Sequence, residues 1–263
     1  MLWHCKLCLN VALLPNYDAH LSSGMRSYAG STRVWANREH CGPGAQNTFQ
    51  PPFLAVLRHV AVKEAAEIAL VLHHAGFRMI SVTADTQGFE EIMRDLSDSS
   101  ALSNVVLGAS SVTDPRQVDG AFECGARFIS SRSLSIEVVN RTKELDLVSI
   151  PGVSNVAQAL AATDAGADIL KIFPANQVSS ATLAEIVRVV SSPTVAKPVI
   201  VAGGIEAGAL AAYSRAGAMG FAVGKTLFEP HMSKSDVYIR ARRIIQETRS
   251  LRWAQNDLIS YRL

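Results

Sequence analysis

From residue 53 onward, apolar runs of strand length alternate with amphipathic segments of helical length. The apolar runs predict eight strands at residues 53–57, 79–83, 104–108, 127–130, 147–150, 169–173, 199–202 and 220–223. The amphipathic segments predict eight helices at residues 62–74, 89–96, 115–124, 134–144, 156–164, 182–190, 207–215 and 235–248. Strands that are apolar along almost their whole length are typical of a parallel sheet that is covered on both faces. Eight alternating units predict an α/β fold, the closed (β/α)8 TIM barrel, with a doubly wound open sheet as the alternative.

A short motif repeats between the predicted helices and the strands that follow them. It consists of a small residue, a glycine and an apolar residue, as in Ala75-Gly76-Phe77, Cys124-Gly125-Ala126, Ala165-Gly166-Ala167 and Ala216-Gly217-Ala218. Glycine closes helices because it adopts the left-handed conformation without a steric penalty. The repeat predicts a barrel built from similar quarters.

Residues 1–51 lack this regular pattern. They contain one Cys5-x-x-Cys8 pair without a second pair at zinc spacing, which is a weak metal signal. Residues 20–38 are rich in serine and arginine and contain no acid, which fits either an organellar transit peptide or an extension without a fold. The predicted division is therefore an extension over 1–51, a barrel over 52–250 and a tail over 251–263. We expect a cytoplasmic protein, or a plastid or mitochondrial one if the extension is a transit peptide.

Composition narrows the class of protein. The chain has 263 residues, of which 48% are hydrophobic and 18% charged, with a net charge of +2. The sequence contains no basic cluster of the kind that predicts nucleic-acid binding. It also contains no apolar run that reaches the length of a membrane span. Five arginines near the C-terminus are interpreted as a solvated helix face; they are Arg240, Arg242, Arg243, Arg249 and Arg252. Four cysteines do not indicate a disulfide framework, so a reducing compartment is expected.

Lys171 stands alone inside the apolar run over residues 167–174. Burial between Leu170 and Ile172 would lower the pKa of its amine, and a neutral amine can form a Schiff base with a ketone. The alternative is a lysine that extends its charged end to solvent from a strand end. In a TIM barrel, the end of the sixth strand lies at the face that carries the active site.

Two glycine motifs follow the seventh and eighth predicted strands. They are Ala202-Gly203-Gly204-Ile205 and Val223-Gly224-Lys225-Thr226. Loops at these two positions form the usual phosphate site of TIM barrels, where glycines and helix N-termini offer free N–H groups. Gly203, Gly204, Gly224 and Lys225 are therefore the predicted phosphate-binding residues, and plain turns are the alternative.

Three segments are informative together: Ile150-Pro151-Gly152-Val153-Ser154, residues 164–175 with Lys171-Ile172-Phe173-Pro174, and residues 202–205. They resemble the KDPG/KHG aldolases, which act on 2-keto-3-deoxy-6-phosphogluconate and 4-hydroxy-2-oxoglutarate, and the likeness extends over about 53–230. The resemblance implies a class I aldolase without a metal or cofactor, usually a homotrimer. Its substrate would be the small 2-keto acid 2-keto-3-deoxy-6-phosphogluconate, cleaved to pyruvate and glyceraldehyde 3-phosphate, or a related 4-hydroxy-2-oxo acid.

The resemblance also assigns roles to individual residues. Lys171 would be the Schiff-base lysine, with Phe173 packed beside it. Arg58 would face the anionic end of the substrate. Ser111 would replace a threonine hydroxyl that contacts the pyruvoyl part.

Two positions depart from the family pattern. Ser81 stands where the family has a proton-shuttling glutamate, and losing such a group typically costs about 10²- to 10⁴-fold in rate. Asp85 stands where an arginine is usual and would repel a carboxylate, while Arg132 could supply a compensating cation. The spacing does not bring Glu90 into the pocket.

These departures leave two alternatives to an active aldolase. One is a weakened barrel that binds a phosphorylated metabolite, or serves as an assembly subunit, without appreciable turnover. The other is a thiamin-phosphate-synthase-like barrel, which explains the glycine loops but gives Lys171 no role.

Overall fold

The computed structural model describes residues 53–191, 197–206, 208–249 and 251. The predicted extension over 1–51, with Cys5 and Cys8, and almost all of the predicted tail lie outside these residues. The domain division and the cellular location therefore stay predictions.

Strands and helices alternate along the described chain. In order they are β1 (Phe53–Leu57), α1 (Val62–Ala75), β2 (Met79–Thr83), α2 (Phe89–Asp98), β3 (Val106–Ser110), α3 (Pro115–Glu123), β4 (Phe128–Ser130), α4 (Ile136–Glu144), β5 (Val148–Ile150), β6 (Gly152–Val153), α5 (Val156–Asp164), β7 (Leu170–Ile172), α6 (Ser180–Val190), β8 (Val199–Ala202), α7 (Leu210–Arg215), β9 (Gly220–Val223) and α8 (Lys234–Arg249). Short 3₁₀ turns lie at Ser100–Leu102 and Ala175–Gln177.

All strand pairs are parallel, in the order β5-β4-β3-β2-β1-β9-β8-β7-β6. β5 and β6 lie at the two ends of this order but are separated in the chain only by Pro151. Proline has no N–H for the ladder, so the fifth strand is divided into β5 and β6, and β6 lies beyond the predicted end of this strand at residue 150. The ladder continues across this break, because the Lys171 N–H donates to the Pro151 carbonyl oxygen at 3.0 Å. The predicted (β/α)8 barrel is confirmed, and the open-sheet alternative is wrong.

Alternate residues of each strand face the barrel interior or the surrounding helices. The interior is filled by one cluster of apolar side chains: Leu54, Met79, Phe128, Val148, Ile150, Ile169, Ile200, Ala202 and Ala222. At Gly108 an added Cβ would lie 2.6 Å from the Phe128 ring, so this glycine leaves room for the ring. The packed interior leaves the carboxyl ends of the strands as the place for polar groups.

The helix ends follow the sequence signals. Side chains of Asp114, Ser135, Asn155 and Ser179 accept backbone N–H groups at the starts of α3, α4, α5 and α6. The four repeated glycines all have a positive φ after a helix, as predicted. α7 begins at Leu210, three residues later than predicted, and β3 extends two residues beyond its predicted end.

No helix in the described part of the chain is both long enough and apolar enough to cross a membrane.

Candidate active site

One cleft of about 750 Å³ opens at the carboxyl ends of the strands. All eight residues predicted from the sequence line it: Arg58, Ser111, Lys171, Phe173, Gly203, Gly204, Gly224 and Lys225. The fold therefore brings together residues from the first, third, sixth, seventh and eighth units of the barrel.

Lys171 faces the interior, because its neighbours Leu170 and Ile172 pack outward against the helices. The side chain is buried, and its Nζ donates to Ser130 Oγ at 2.6 Å. Burial, with a smaller contribution from the charge of Arg132, lowers the pKa of Lys171 to about 7. Near neutral pH, a substantial fraction of the amine is therefore neutral and able to attack a carbonyl carbon.

Phe173 lies next along the same face of the chain. Its ring centroid is 5.8 Å from Lys171 Nζ. The ring forms an apolar wall of the cleft beside the amine and supports its desolvation.

Three buried serine hydroxyls point inward from β2, β3 and β4 (Ser81, Ser110 and Ser130). Ser110 Oγ donates to Ser81 Oγ at 2.5 Å, and Ser81 Oγ donates to the Ala55 carbonyl oxygen at 3.5 Å. Sequence reasoning missed Ser110 and Ser130. The period-two pattern could have found them, because each lies two residues after an inward-facing residue of its strand, Gly108 or Phe128.

Arg58 connects two loops at the rim of the cleft. Its guanidinium donates to Asp85 Oδ2 at 2.8 Å and to Ser111 Oγ at 2.8 Å. Burial raises the pKa of Asp85, but the hydrogen bond from Thr83 and the Arg58 charge outweigh it, so this pKa lies below its usual value. The charge of Asp85, which the sequence presents as a source of repulsion, is thus compensated by Arg58.

The glycine turn after β8 is shaped by close packing. Gly203 and Gly204 have φ values of 85° and 65°. An added Cβ would lie 2.8 Å from the Phe173 ring at Gly203 and 2.3 Å from the Asn176 side chain at Gly204. The two glycines therefore allow the backbone of this turn to pack directly against the Phe173 ring and the Asn176 side chain.

The loop after β9 contains a helical turn that precedes α8. α8 begins at Lys234, close to its predicted start at 235. Before it, the Gly224 carbonyl oxygen accepts from Leu227 N (2.8 Å) and Phe228 N (3.0 Å), which closes a single helical turn. The first N–H groups of such a turn have no acceptor within it and can bind an anion.

The cleft is lined by more cations than predicted. Five cationic side chains line it: Arg58, Arg132, Lys225, Arg240 and Arg243. Two carboxylates, Glu206 and Glu229, line it as well. Arg240 and Arg243 are exposed, in agreement with the predicted solvated helix face, and they also line this cleft. Glu90 lies in a separate surface cleft, as its spacing predicts.

No group of three or more His, Cys, Asp or Glu side chains that could hold a metal ion occurs among the described residues.

Fold and site together define a barrel enzyme with a buried lysine at the mouth of the barrel. The family model described as KDPG and KHG aldolase matches residues 46–244. The chain belongs to this family, and its activity class is that of an aldolase, a carbon–carbon lyase.

Individual relatives agree with this assignment. A probable 2-dehydro-3-deoxy-6-phosphogalactonate aldolase of Rhizobium meliloti is 29% identical over 73% of this chain and 89% of its own length. The 2-dehydro-3-deoxy-6-phosphogalactonate aldolase of Escherichia coli is 26% identical over 69% of this chain and 87% of its own. A solved structure described as native KDPGal superposes with a TM-score of 0.72 at 25% identity, covering 78% of this chain and 98% of that one.

Proposed function

We propose that the protein is a class I aldolase that forms a Schiff base through Lys171. Its substrate would be a 2-keto-3-deoxy-6-phospho sugar acid, either the gluconate or the galactonate form, cleaved to pyruvate and glyceraldehyde 3-phosphate. 4-Hydroxy-2-oxoglutarate is a further candidate substrate of the same chemistry. The observation that carries the proposal is the buried Lys171 amine, with its pKa near 7, in a cleft shared with two glycine turns.

The chemistry follows from the state of the amine. Neutral Lys171 attacks the C2 keto carbon, and loss of water with uptake of one proton from solvent gives an iminium. The positive nitrogen withdraws electrons from the C3–C4 bond, so that this bond breaks to give the aldehyde and an enamine. Protonation of the enamine at C3 and hydrolysis then release pyruvate and restore Lys171.

The arrangement of charges favours one orientation of the substrate. Arg58 and Ser111 are proposed to face the carboxylate and keto end, since Arg58 bridges the first and third loops of the rim. Gly203, Gly204, Gly224 and Lys225 are proposed to surround the phosphate. Phe173 would pack against the chain between them, and Arg132 would add positive charge near Lys171.

The direct test is trapping with pyruvate and borohydride. The protein should gain the mass of one reductively added pyruvate, and peptide mapping should place it at Lys171. Lys171→Met should gain nothing, while Lys225→Met serves as the matched control and should still be labelled. An unlabelled wild-type protein at saturating pyruvate would remove the proposal. A weakened barrel would be labelled but would not turn over phosphorylated sugar acids in a coupled assay for glyceraldehyde 3-phosphate.

We also propose the homotrimer that the family resemblance implies. Three large apolar side chains are exposed on successive helices: Phe122 on α3, Ile136 on α4 and Leu160 on α5. Singly exposed apolar side chains are common on protein surfaces, so the proposal rests on the family resemblance. Light scattering coupled to size exclusion should give three times the chain mass, and a monomer mass would contradict the trimer.

A further inference from the structure

The reactive amine has a hydroxyl group as its nearest polar partner. Lys171 Nζ donates to Ser130 Oγ at 2.6 Å, and both side chains are buried. The other groups described around the amine are the Phe173 ring and the charge of Arg132. Among the described residues, no carboxylate forms a hydrogen bond or an ion pair with Lys171.

Schiff-base formation requires protons to move, but it does not require a base that keeps one. The neutral amine, a ketone and one proton from solvent give an iminium and water, so one proton from the nitrogen and one from solvent end on the departing keto oxygen. This solvent proton replaces the one that the lysine ammonium released on becoming neutral. A hydroxyl group can carry the proton of the nitrogen by accepting it while it donates its own to the oxygen, as water chains do in other enzymes.

We propose that Ser130 is this proton relay and therefore a catalytic residue of Schiff-base formation. The inference rests on the proposed function of Lys171. In the first step, the C–N bond forms while one amine proton passes to Ser130 Oγ and the Ser130 hydroxyl proton passes to the keto oxygen, giving a carbinolamine. In the second step, a proton from solvent passes through the Ser130 hydroxyl to the carbinolamine oxygen, the C–O bond breaks, and water leaves the iminium.

The other two inward-facing serines are less suited to this role. Ser110 Oγ directs its proton to Ser81 Oγ, and Ser81 directs its own to the Ala55 carbonyl oxygen. Both hydroxyl protons are thus committed to partners other than the amine, whereas Ser130 Oγ is in direct contact with Nζ.

The barrel geometry supports the pairing of Ser130 with Lys171. Alternate strands of a TIM barrel contribute side chains to the same interior layer. β4 and β7 flank the fifth strand, which consists of β5 and β6, and are therefore alternate strands. The pair thus forms part of one layer of the interior, which fixes the two atoms relative to each other.

The decisive comparison is between Ser130→Thr and Ser130→Val, which have the same size and differ only in the hydroxyl group. Each variant is mixed with saturating pyruvate, quenched with borohydride after varied times, and weighed as the intact protein. The relay predicts that Ser130→Thr forms the adduct within about fivefold of the wild-type rate, whereas Ser130→Val is slower by about 10²-fold. Ser149→Ala is the matched control, because this buried serine lies on β5 but faces away from the interior; it should keep the wild-type rate.

A second measurement separates relay from positioning. The rate of adduct formation is recorded against pH for each variant. A relay lowers the plateau of this profile in Ser130→Val but not in Ser130→Thr, whereas a merely structural role slows both variants alike.

Each outcome decides between the proposals. Equal rates for Ser130→Val and Ser130→Thr, within threefold, would overturn the relay and leave the Schiff base intact. Absence of any adduct in the wild type would instead overturn the proposed function itself. If the larger side chains prevent folding, Ser130→Ala takes their place, and a rate within threefold of wild type overturns the relay.

Discussion

Arg58 and Asp85 form a 2.8 Å ion pair across the rim of the barrel, between the ends of the first and second strands. The same guanidinium donates to Ser111 Oγ, so that Asp85 orients the cation toward the third loop. Both side chains are partly exposed, and such pairs contribute little to stability. The pair therefore bears mainly on how strongly Arg58 attracts an anionic substrate.

Removing the negative charge of Asp85 should strengthen substrate binding. Asp85→Asn keeps an oxygen that can accept from Arg58 but leaves the guanidinium uncompensated. A unit charge at a solvated site contributes about 1 kcal/mol at close range, so we expect KM for the keto acid to fall by roughly fivefold with kcat unchanged. Steady-state kinetics at low ionic strength provide the measurement. Asp85→Ala should lose part of this gain because it no longer orients Arg58, and an unchanged or higher KM in Asp85→Asn would contradict the interpretation.

Burial of the Lys171 amine should lower the free energy of unfolding of the protein near neutral pH. Its pKa is about 7 in the folded protein against 10.5 for a free lysine, so between these values the unfolded chain binds the extra proton. Stability therefore rises with pH over this window, and at pH 7 the penalty is on the order of 4 kcal/mol. We expect Lys171→Met to be more stable than wild type at pH 7 and the difference to shrink toward pH 10.

Urea unfolding of both proteins at pH 7 and pH 10 measures this difference. Lys225→Met is the control, because its side chain is exposed at the rim. A difference between wild type and Lys171→Met that does not change with pH would show that the lysine is not neutral in the folded protein.

Restoring a carboxylate at position 81 should separate two steps of the reaction. Cleavage of the C3–C4 bond releases the proton of the C4 hydroxyl, and a hydroxyl relay cannot keep that proton as a carboxylate can. Ser81→Glu should therefore raise kcat for cleavage by about 10²-fold, while the rate of trapping with pyruvate changes by less than fivefold. Ser81→Gln has nearly the same shape without the base and should not accelerate cleavage. An equal effect of the two variants would assign the gain to packing.

Arg240 should contribute to recognition of the phosphate end. It lines the cleft together with Lys225, and among the described residues it forms no ion pair. Arg240→Ala should raise KM for a phosphorylated sugar acid by about three- to tenfold, the size of a lost charge contact at a solvated site, and leave pyruvate trapping unchanged. Arg242→Ala, two residues along the same helix but outside the cleft, should behave as wild type. Equal KM values in both variants would place Arg240 outside the binding site.

Sequence reasoning reached much of this site because the informative signals are local. The apolar neighbours of Lys171 predict its burial, and the positions of Gly203 and Gly224 after their strands predict the shared cleft. The start of the last helix was predicted to within one residue, at 235 against Lys234. The sequence did not predict the single turn that begins at Gly224 before this helix.

The alternation of strands and helices in the sequence determined the barrel, and the apolar run around Lys171 determined that a lysine lies inside it. Only the tertiary structure decided which groups meet that lysine and the substrate. Ser130 is 41 residues from Lys171 in the chain, Asp85 is 27 residues from Arg58, and Arg240 comes from the last helix. Periodicity specifies which face of an element is buried, because it depends on neighbouring residues alone. The partner across the barrel depends on strand register and closure, which arise only when the whole sheet has formed.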